Sequence, residues 1–267
     1  MVLGIKSQQQ DIGGSMLTVS QIEQYFEDGY VIPDFKLSEK TIDAIQVRHD
    51  QLLEAHPEFR DYCPAVLQYD EGFADFCRNE DILDMVEQLI GPDIALWNSS
   101  FFAKPAGNGK ATPWHQDGEY WPIRPLATCT AWIAVDDATQ DNGCLRIIKG
   151  SHKEGKLLQH ETNPSTELTL NQELMKTEYD ESKAVDLVLK RGQISLHDVF
   201  LVHGSEPNTS DKSRRGMTMR FMPTTSLFDR QLAKEQFNNM RVPDHSERKI
   251  YQMRGIDRCG RNNLIYP

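Results

Sequence analysis

The spacing of apolar residues changes once along the chain, near Ile94. Upstream, apolar positions recur every three or four residues; downstream, they alternate. "SQIEQYFEDGYVI" sets Ser20 and Glu23 at capping-box spacing, groups Ile22, Tyr25 and Phe26 on one face and meets Gly29, which predicts a helix. "SEKTIDAIQVRHDQLLEAHP" predicts a second, with Ser38 as cap, Ile42, Ile45, His49, Leu52 and Leu53 near helical period, and Pro57 as its limit. "NEDILDMVEQLIGP" predicts a third, from Asn79 to the Gly91-Pro92 stop. Beyond Ile94, "IALWNSSFFAKP", "TCTAWIAVD", "CLRIIKGSH", "VDLVLKRGQISLHDVFLVHG" and "GMTMRFMPT" read as strands between Gly, Asn, Asp and Pro turns. The class expected is mainly β with flanking α-helices, an antiparallel sandwich or barrel. The polar run "EGKLLQHETNPSTELTLNQELMKTEYDESKA" is expected to be a lid, a binding loop or a solvated excursion.

Composition narrows this picture. The first 15 residues are polar and aperiodic, which predicts a flexible tail, and 16–267 is long enough to bury one core as a single domain. The formal charge of −11 disfavours nucleic acid and anionic membranes as partners, while leaving room for local basic pockets. No stretch of 18 apolar residues and no leader pattern is present, so a soluble, cytoplasmic protein is expected. Cys63, Cys77, Cys129, Cys144 and Cys259 are scattered without a CxxC pair and are expected to be reduced thiols. Oligomeric state is not legible.

The chemistry concentrates at "ATPWHQDGEYWPIRPLATCTAWIAVDD". On a strand, residues i and i+2 share a face, so His115 and Asp117 would present an imidazole and a carboxylate together, with Gln116 turned away. Two His and one carboxylate form the facial triad of non-haem Fe(II) oxygenases. His203 supplies the distal imidazole, and His197, six residues earlier, is its competitor. Eleven residues after His203, Arg214 opens the next strand, where a guanidinium can grip a dicarboxylate bidentately; Arg215 would take its place if the register slipped by one.

"WHQDGEYW", "TAWIAVDDATQDNGCLRIIKGSH" and "HGSEPNTSDKSRR" together resemble the phytanoyl-CoA dioxygenase family of Fe(II)/2-oxoglutarate oxygenases, which includes bacterial hydroxylases of ectoine and organophosphonates. The resemblance runs from about Gly29 to about Phe221 and implies a double-stranded β-helix, a jelly-roll core like that of cupins. It implies Fe(II) held by His115, Asp117 and His203, with 2-oxoglutarate and O2 as co-substrates. Arg214 and Ser205 would hold the distal carboxylate of 2-oxoglutarate, Trp132 would line its site, and Thr130 and Lys104 are further candidate contacts. His152 matches a turn-stabilising position. An intact carboxylate at Asp117 implies hydroxylation rather than halogenation.

On the substrate side, Tyr120, Trp121 and Arg124 crowd the metal motif, with Asn98 and Gln116 behind them. Aromatic walls suit a dry, shaped reaction pocket. Arg124 points to a small polar or anionic metabolite rather than a CoA thioester, such as an aminoalkylphosphonate, its trimethylammonium analogue or an amino-acid derivative. The competing classes are a zinc-dependent hydrolase on the same ligands and a non-catalytic cupin-like binding module.

Overall fold

Helix α1 (Val19–Asp28) is capped two residues earlier than the Ser20–Glu23 spacing suggests. The Thr18 hydroxyl accepts from the Gln21 amide at 3.3 Å, and the Gln21 side chain accepts from the Thr18 amide at 2.9 Å. Two overlapping S/T-x-x-E/Q registers are available, and the earlier one wins. Tyr25 is buried, but Phe26 lies on the exposed face, contrary to the grouping expected. Helix α2 (Glu39–Ala55) starts from Ser38, whose hydroxyl accepts from Thr41 at 3.1 Å. Helix α3 (Glu80–Ile90) starts from Asn79, which accepts from Ile82 at 3.0 Å. The computed structural model describes residues 16–240 and 244–266, so the tail expected over 1–15 lies outside the described residues.

Ten strands matter to the site. They are β1 (Tyr30–Val31), β2 (Ile94–Lys104), β3 (Thr112–His115), β4 (Cys129–Ala134), β5 (Leu145–Ile148), β6 (Ala184–Leu187), β7 (Ile194–Asp198), β8 (His203–Ser205), β9 (Arg214–Pro223) and β10 (Tyr251–Arg254). The larger sheet runs β1-β7-β4-β9-β2-β10, with Tyr62–Cys63 also paired to β2. The smaller runs β6-β5-β8-β3. From β2 to β9 the chain passes repeatedly between the two sheets, which is the jelly-roll path. Helix α4 (Arg230–Met240) follows β9.

Alternation sorts the larger sheet into two faces. Met217, Met219 and Phe221 of β9, Ala131 and Ile133 of β4, and Leu196 of β7 pack beneath Ile42, Ile45, Leu83 and Val86 of the helices. The intervening residues, among them Arg214, Thr218, Arg220, Thr130, Trp132 and His197, face the space between the sheets. The apolar helices seal one face so that the other can be polar.

The strand reading of one segment needs correction. "VDLVLKRGQISLHDVFLVHG" is three strands: β6 and β8 belong to the smaller sheet and β7 to the larger. It turns after Leu189 and again after Asp198, whose carboxylate accepts from the Phe200 amide at 2.8 Å. The long polar insertion is mostly solvent-exposed, and within it only Gln172 and Leu174 are buried. It forms a hairpin, His160–Thr162 with Gln172–Leu174, and Leu174 joins Trp114, Ile148 and Val202 in an apolar cluster against the smaller sheet. Among the described residues no helix is long and apolar enough to cross a membrane. All five cysteines are free, and only Cys259 is not buried.

His49 of α2 is fully buried, stacked on Phe101 of β2 at 4.1 Å. Burial, with Arg215 nearby, pushes its imidazole down to about 4. The folded value lies below the unfolded one of about 6.5, so the neutral ring contributes its full stability above that pH and loses it as pH falls towards 4. His49→Leu should therefore flatten the pH dependence of unfolding between pH 6.5 and 4 by up to about 1.4 kcal/mol per pH unit. Urea midpoints of the metal-free proteins across that range check this, and equal slopes would refute it.

Candidate active site

His115 is the last residue of β3 and His203 the first of β8, and the β-ladder sets them directly opposite one another with ring centroids 4.2 Å apart. Each ring makes a 2.8 Å contact through Nδ1 with a carbonyl two residues earlier, Pro113 for His115 and Leu201 for His203. An Nδ1–H donor leaves Nε2 as the free lone pair of each ring.

Asp117 does not lie on the strand. The chain turns after Gln116 into a 3-10 turn, Asp117–Tyr120, and this turn, rather than strand alternation, brings the carboxylate to the imidazoles. Asp117 Oδ1 is 3.8 Å from His115 Nε2, and ligand atoms of His115, Asp117 and His203 lie within 4.8 Å of one another.

Electrostatics set the protonation states a divalent metal needs. Burial keeps both imidazoles neutral, moving His115 down to about 4 and His203 well below its usual value. Burial alone would raise the Asp117 carboxyl, but Arg220, with His197 beside it, holds it far below the usual carboxylate range. Two neutral nitrogens and one carboxylate, gathered on one side of a cavity, fit Fe(II). His197 approaches from β7 in the other sheet, its Nε2 3.5 Å from Asp117 Oδ2, so it supports the carboxylate instead of replacing His203. Thr130 donates to the same oxygen at 3.3 Å, and Arg220 Nη2 lies 3.6 Å from Oδ1.

The same cavity is lined by Arg214, Trp132, Ser205 and Thr130. Arg214 is buried; its Nε and Nη2 donate to the Gly143 carbonyl at 3.1 and 2.8 Å, and Nη1 to Phe102 at 2.9 Å. Burial brings it down to about 10, still a cation at neutral pH, and it has no carboxylate partner among the described residues. Its guanidinium lies 5.5 Å from the Trp132 ring centroid. Gly143 adopts φ +79°, and a Cβ there would meet the Glu206 carbonyl at 2.4 Å, so the turn presenting its oxygen to Arg214 requires glycine. Gly216 serves Trp132 similarly, since a Cβ would meet the indole at 2.2 Å. Arg215 faces the helices and pairs with Asp136 at 2.8 Å and Asp50 at 3.1 Å.

The remaining candidates divide. Asn98, Tyr120 and Trp121 line a second, narrower chamber with Tyr62, Trp97, Arg220 and His245. Lys104 is opposite Arg214 in the ladder, but its Nζ donates to the Lys110 carbonyl and the residue is absent from the cavity lining. Gln116 is turned away, as expected, and lines neither chamber: its side-chain amide bonds Phe200, Lys156 and Leu158. Arg124 is exposed, donates to the carbonyls of Trp121 and Ile123 at 3.1 and 2.6 Å, and lines neither chamber. His152 contacts the Phe26 carbonyl at 3.1 Å, away from the metal motif.

Sequence reasoning missed Arg220, Arg248 and His245. Arg220 was accessible, because it lies on the face of β9 that Arg214 and Thr218 occupy. The other two sit on irregular chain after α4, where no periodicity marks them.

The phytanoyl-CoA dioxygenase (PhyH) family model matches residues 25–216. A probable phytanoyl-CoA dioxygenase of Caenorhabditis elegans is 30% identical over 78% of this chain and 76% of its own length. A probable alpha-ketoglutarate-dependent hypophosphite dioxygenase of Stutzerimonas stutzeri is 30% identical over 55% of this chain, and the match spans about half (51%) of that protein. The fold is shared with the apo form of a non-heme monooxygenase, ThoJ, at TM-score 0.71 and 24% identity, covering 92% of this chain and 86% of that one. Sequence match and fold thus agree on what the triad already suggests: the chain belongs to the phytanoyl-CoA dioxygenase family and is a non-haem iron dioxygenase dependent on 2-oxoglutarate.

Proposed function

We propose that this oxygenase hydroxylates a C–H bond of a small polar or anionic metabolite, releasing succinate and CO2. The observation that carries the reading is the cavity shared by the triad of His115, Asp117 and His203 with the buried, carboxylate-free guanidinium of Arg214. When bound, iron and 2-oxoglutarate supply an oxidant drawn from O2.

The chain supplies position and exclusion. His115, Asp117 and His203 would hold the metal, with Thr130 and His197 fixing the Asp117 carboxylate. Arg214 and Ser205 would receive the distal carboxylate of 2-oxoglutarate against Trp132. Tyr120 and Trp121 would wall the substrate from water.

Two observations support a small substrate. The chambers beside the triad are adjoined by a cavity of about 210 Å³, below the roughly 300–1,000 Å³ of drug-sized ligand sites. The bacterial relative is named for hypophosphite, a small oxyanion. An aminoalkylphosphonate, its trimethylammonium analogue or an amino-acid derivative satisfies both. The zinc hydrolase and the binding module give Arg214 no role.

Anaerobic titration with Fe(II) and 2-oxoglutarate, followed by the visible charge-transfer absorption of the chelate, tests the reading. Wild type should develop the band; a protein that binds metal but shows none would sink it. Asp117→Ala should lose the band and any turnover of 2-oxoglutarate. Arg214→Ala should still bind Fe(II) but need roughly 30-fold or more 2-oxoglutarate, from the ~2 kcal/mol minimum for losing one partner of a buried hydrogen-bonded charge pair. Unchanged affinity in that variant would show that the distal carboxylate sits elsewhere.

A further inference from the structure

Arg248 follows α4 on irregular chain, and it is only 4% exposed. Among the described residues its guanidinium has no carboxylate partner and makes no hydrogen bond; Nε is buried and unsatisfied. It lies 5.6 Å from the ring centroid of Trp97. Trp97 packs edge-on to Trp121 at 4.6 Å, and Arg220 lies 5.1 Å from Trp121. The two guanidiniums therefore flank one pair of tryptophans.

Around them the chamber is built for a polar guest. Both arginines act electrostatically on the hydroxyls of Tyr62 and Tyr120. His245 stacks over Tyr120 at 6.3 Å and is also 4% exposed, with both ring nitrogens unsatisfied. Nε of Arg220 and Nε1 of Trp97 are unsatisfied as well. Buried donors and cations normally find partners, because leaving them unpaired is costly. Here several are left unpaired in one place.

The three cavities adjoin in order. Arg248 lines the outer cavity together with Trp97 and Asn98. Trp97 and Asn98 also line the aromatic chamber, which shares Arg220 with the cavity holding the triad. The carboxylates on the outer rim, Glu71 and Glu247, are exposed, and Glu71 is taken by Lys249. Each of these adjoining cavities is lined by a buried arginine, in a chain whose net charge is −11.

We infer that Arg248, with Arg220 and His245, forms the substrate's acid-binding subsite: a carboxylate or phosphonate head is held at Arg248 between Tyr62, Trp97 and Tyr120, and the carbon to be oxidised extends past Arg220 to the metal. This rests on the oxygenase reading for the position of the reacting carbon, while the anion site stands on its own residues. It places substrate choice on Arg220, His245 and Arg248, all beyond residue 216, where the family match ends.

The experiment is a fluorescence titration, since Trp97 and Trp121 flank the subsite. Wild type, Arg248→Met and Arg248→Lys would each be titrated with ω-amino carboxylates and ω-amino phosphonates of two to four carbons, and with the matching amino alcohols. Arg124→Ala serves as the control for a charge outside the chamber. Acids should bind wild type and Arg124→Ala, the amino alcohols should not, and Arg248→Met should weaken the acids at least tenfold, with partial recovery in Arg248→Lys. Stronger binding by carboxylates or by phosphonates then says which head the site prefers. Absence of acid binding, equal binding of the alcohols, or unchanged affinity in Arg248→Met would overturn the proposal. The iron and 2-oxoglutarate absorption band is read on the same proteins. Acid binding at Arg248 without that band would remove the oxygenase reading and leave the anion site; the band without acid binding would do the reverse.

Discussion

The arrangement depends on one ladder pair, His115 opposite His203. An antiparallel register is a discrete choice, and slipping it by one residue would send one imidazole to the far face of the smaller sheet. With the pair set, the carbonyls of Pro113 and Leu201 can orient both rings. The third ligand can then come from a turn, because its position is defined relative to rings already fixed. The opposite sheet supplies what holds that carboxylate: Thr130, His197 and Arg220 reach it from three neighbouring strands.

Period-two alternation does the matching work on the larger sheet. Arg214 and Arg215 are chemically alike and adjacent, yet one is buried beside the triad and the other pairs with Asp136 and Asp50 under the helices. The helices make this possible by covering the apolar face with Ile42, Ile45, Leu83 and Val86. An uncompensated guanidinium in the interior is then supported only by backbone carbonyls, which suits a group whose partner arrives with the co-substrate.

Much of this was legible because it is local or periodic. Caps at Ser38 and Asn79 and the change of period at Ile94 follow from spacing, while the triad was singled out by its motifs and the family they resemble. What escaped depends on where irregular chain goes. Arg124 looked like a substrate contact because it neighbours the metal motif, but its loop turns it outward onto backbone carbonyls. Arg248 and His245 lie over a hundred residues further on and reach the chamber only because β10 returns to the edge of β2. The break between His197 and His203 was hidden by an unbroken apolar run, since a strand that changes sheets keeps its hydrophobicity.

Gln116 carries a further consequence. Its side chain ties Phe200, Lys156 and Leu158 together, while its backbone amide donates to His160 of the insertion hairpin at 3.1 Å. The residue next to the carboxylate ligand is thus the clasp of a distant hairpin. The hydrogen bonds that hold the hairpin in place and the turn that carries the carboxylate therefore meet at one residue, so the outer wall of the smaller sheet and the metal motif share a single anchor.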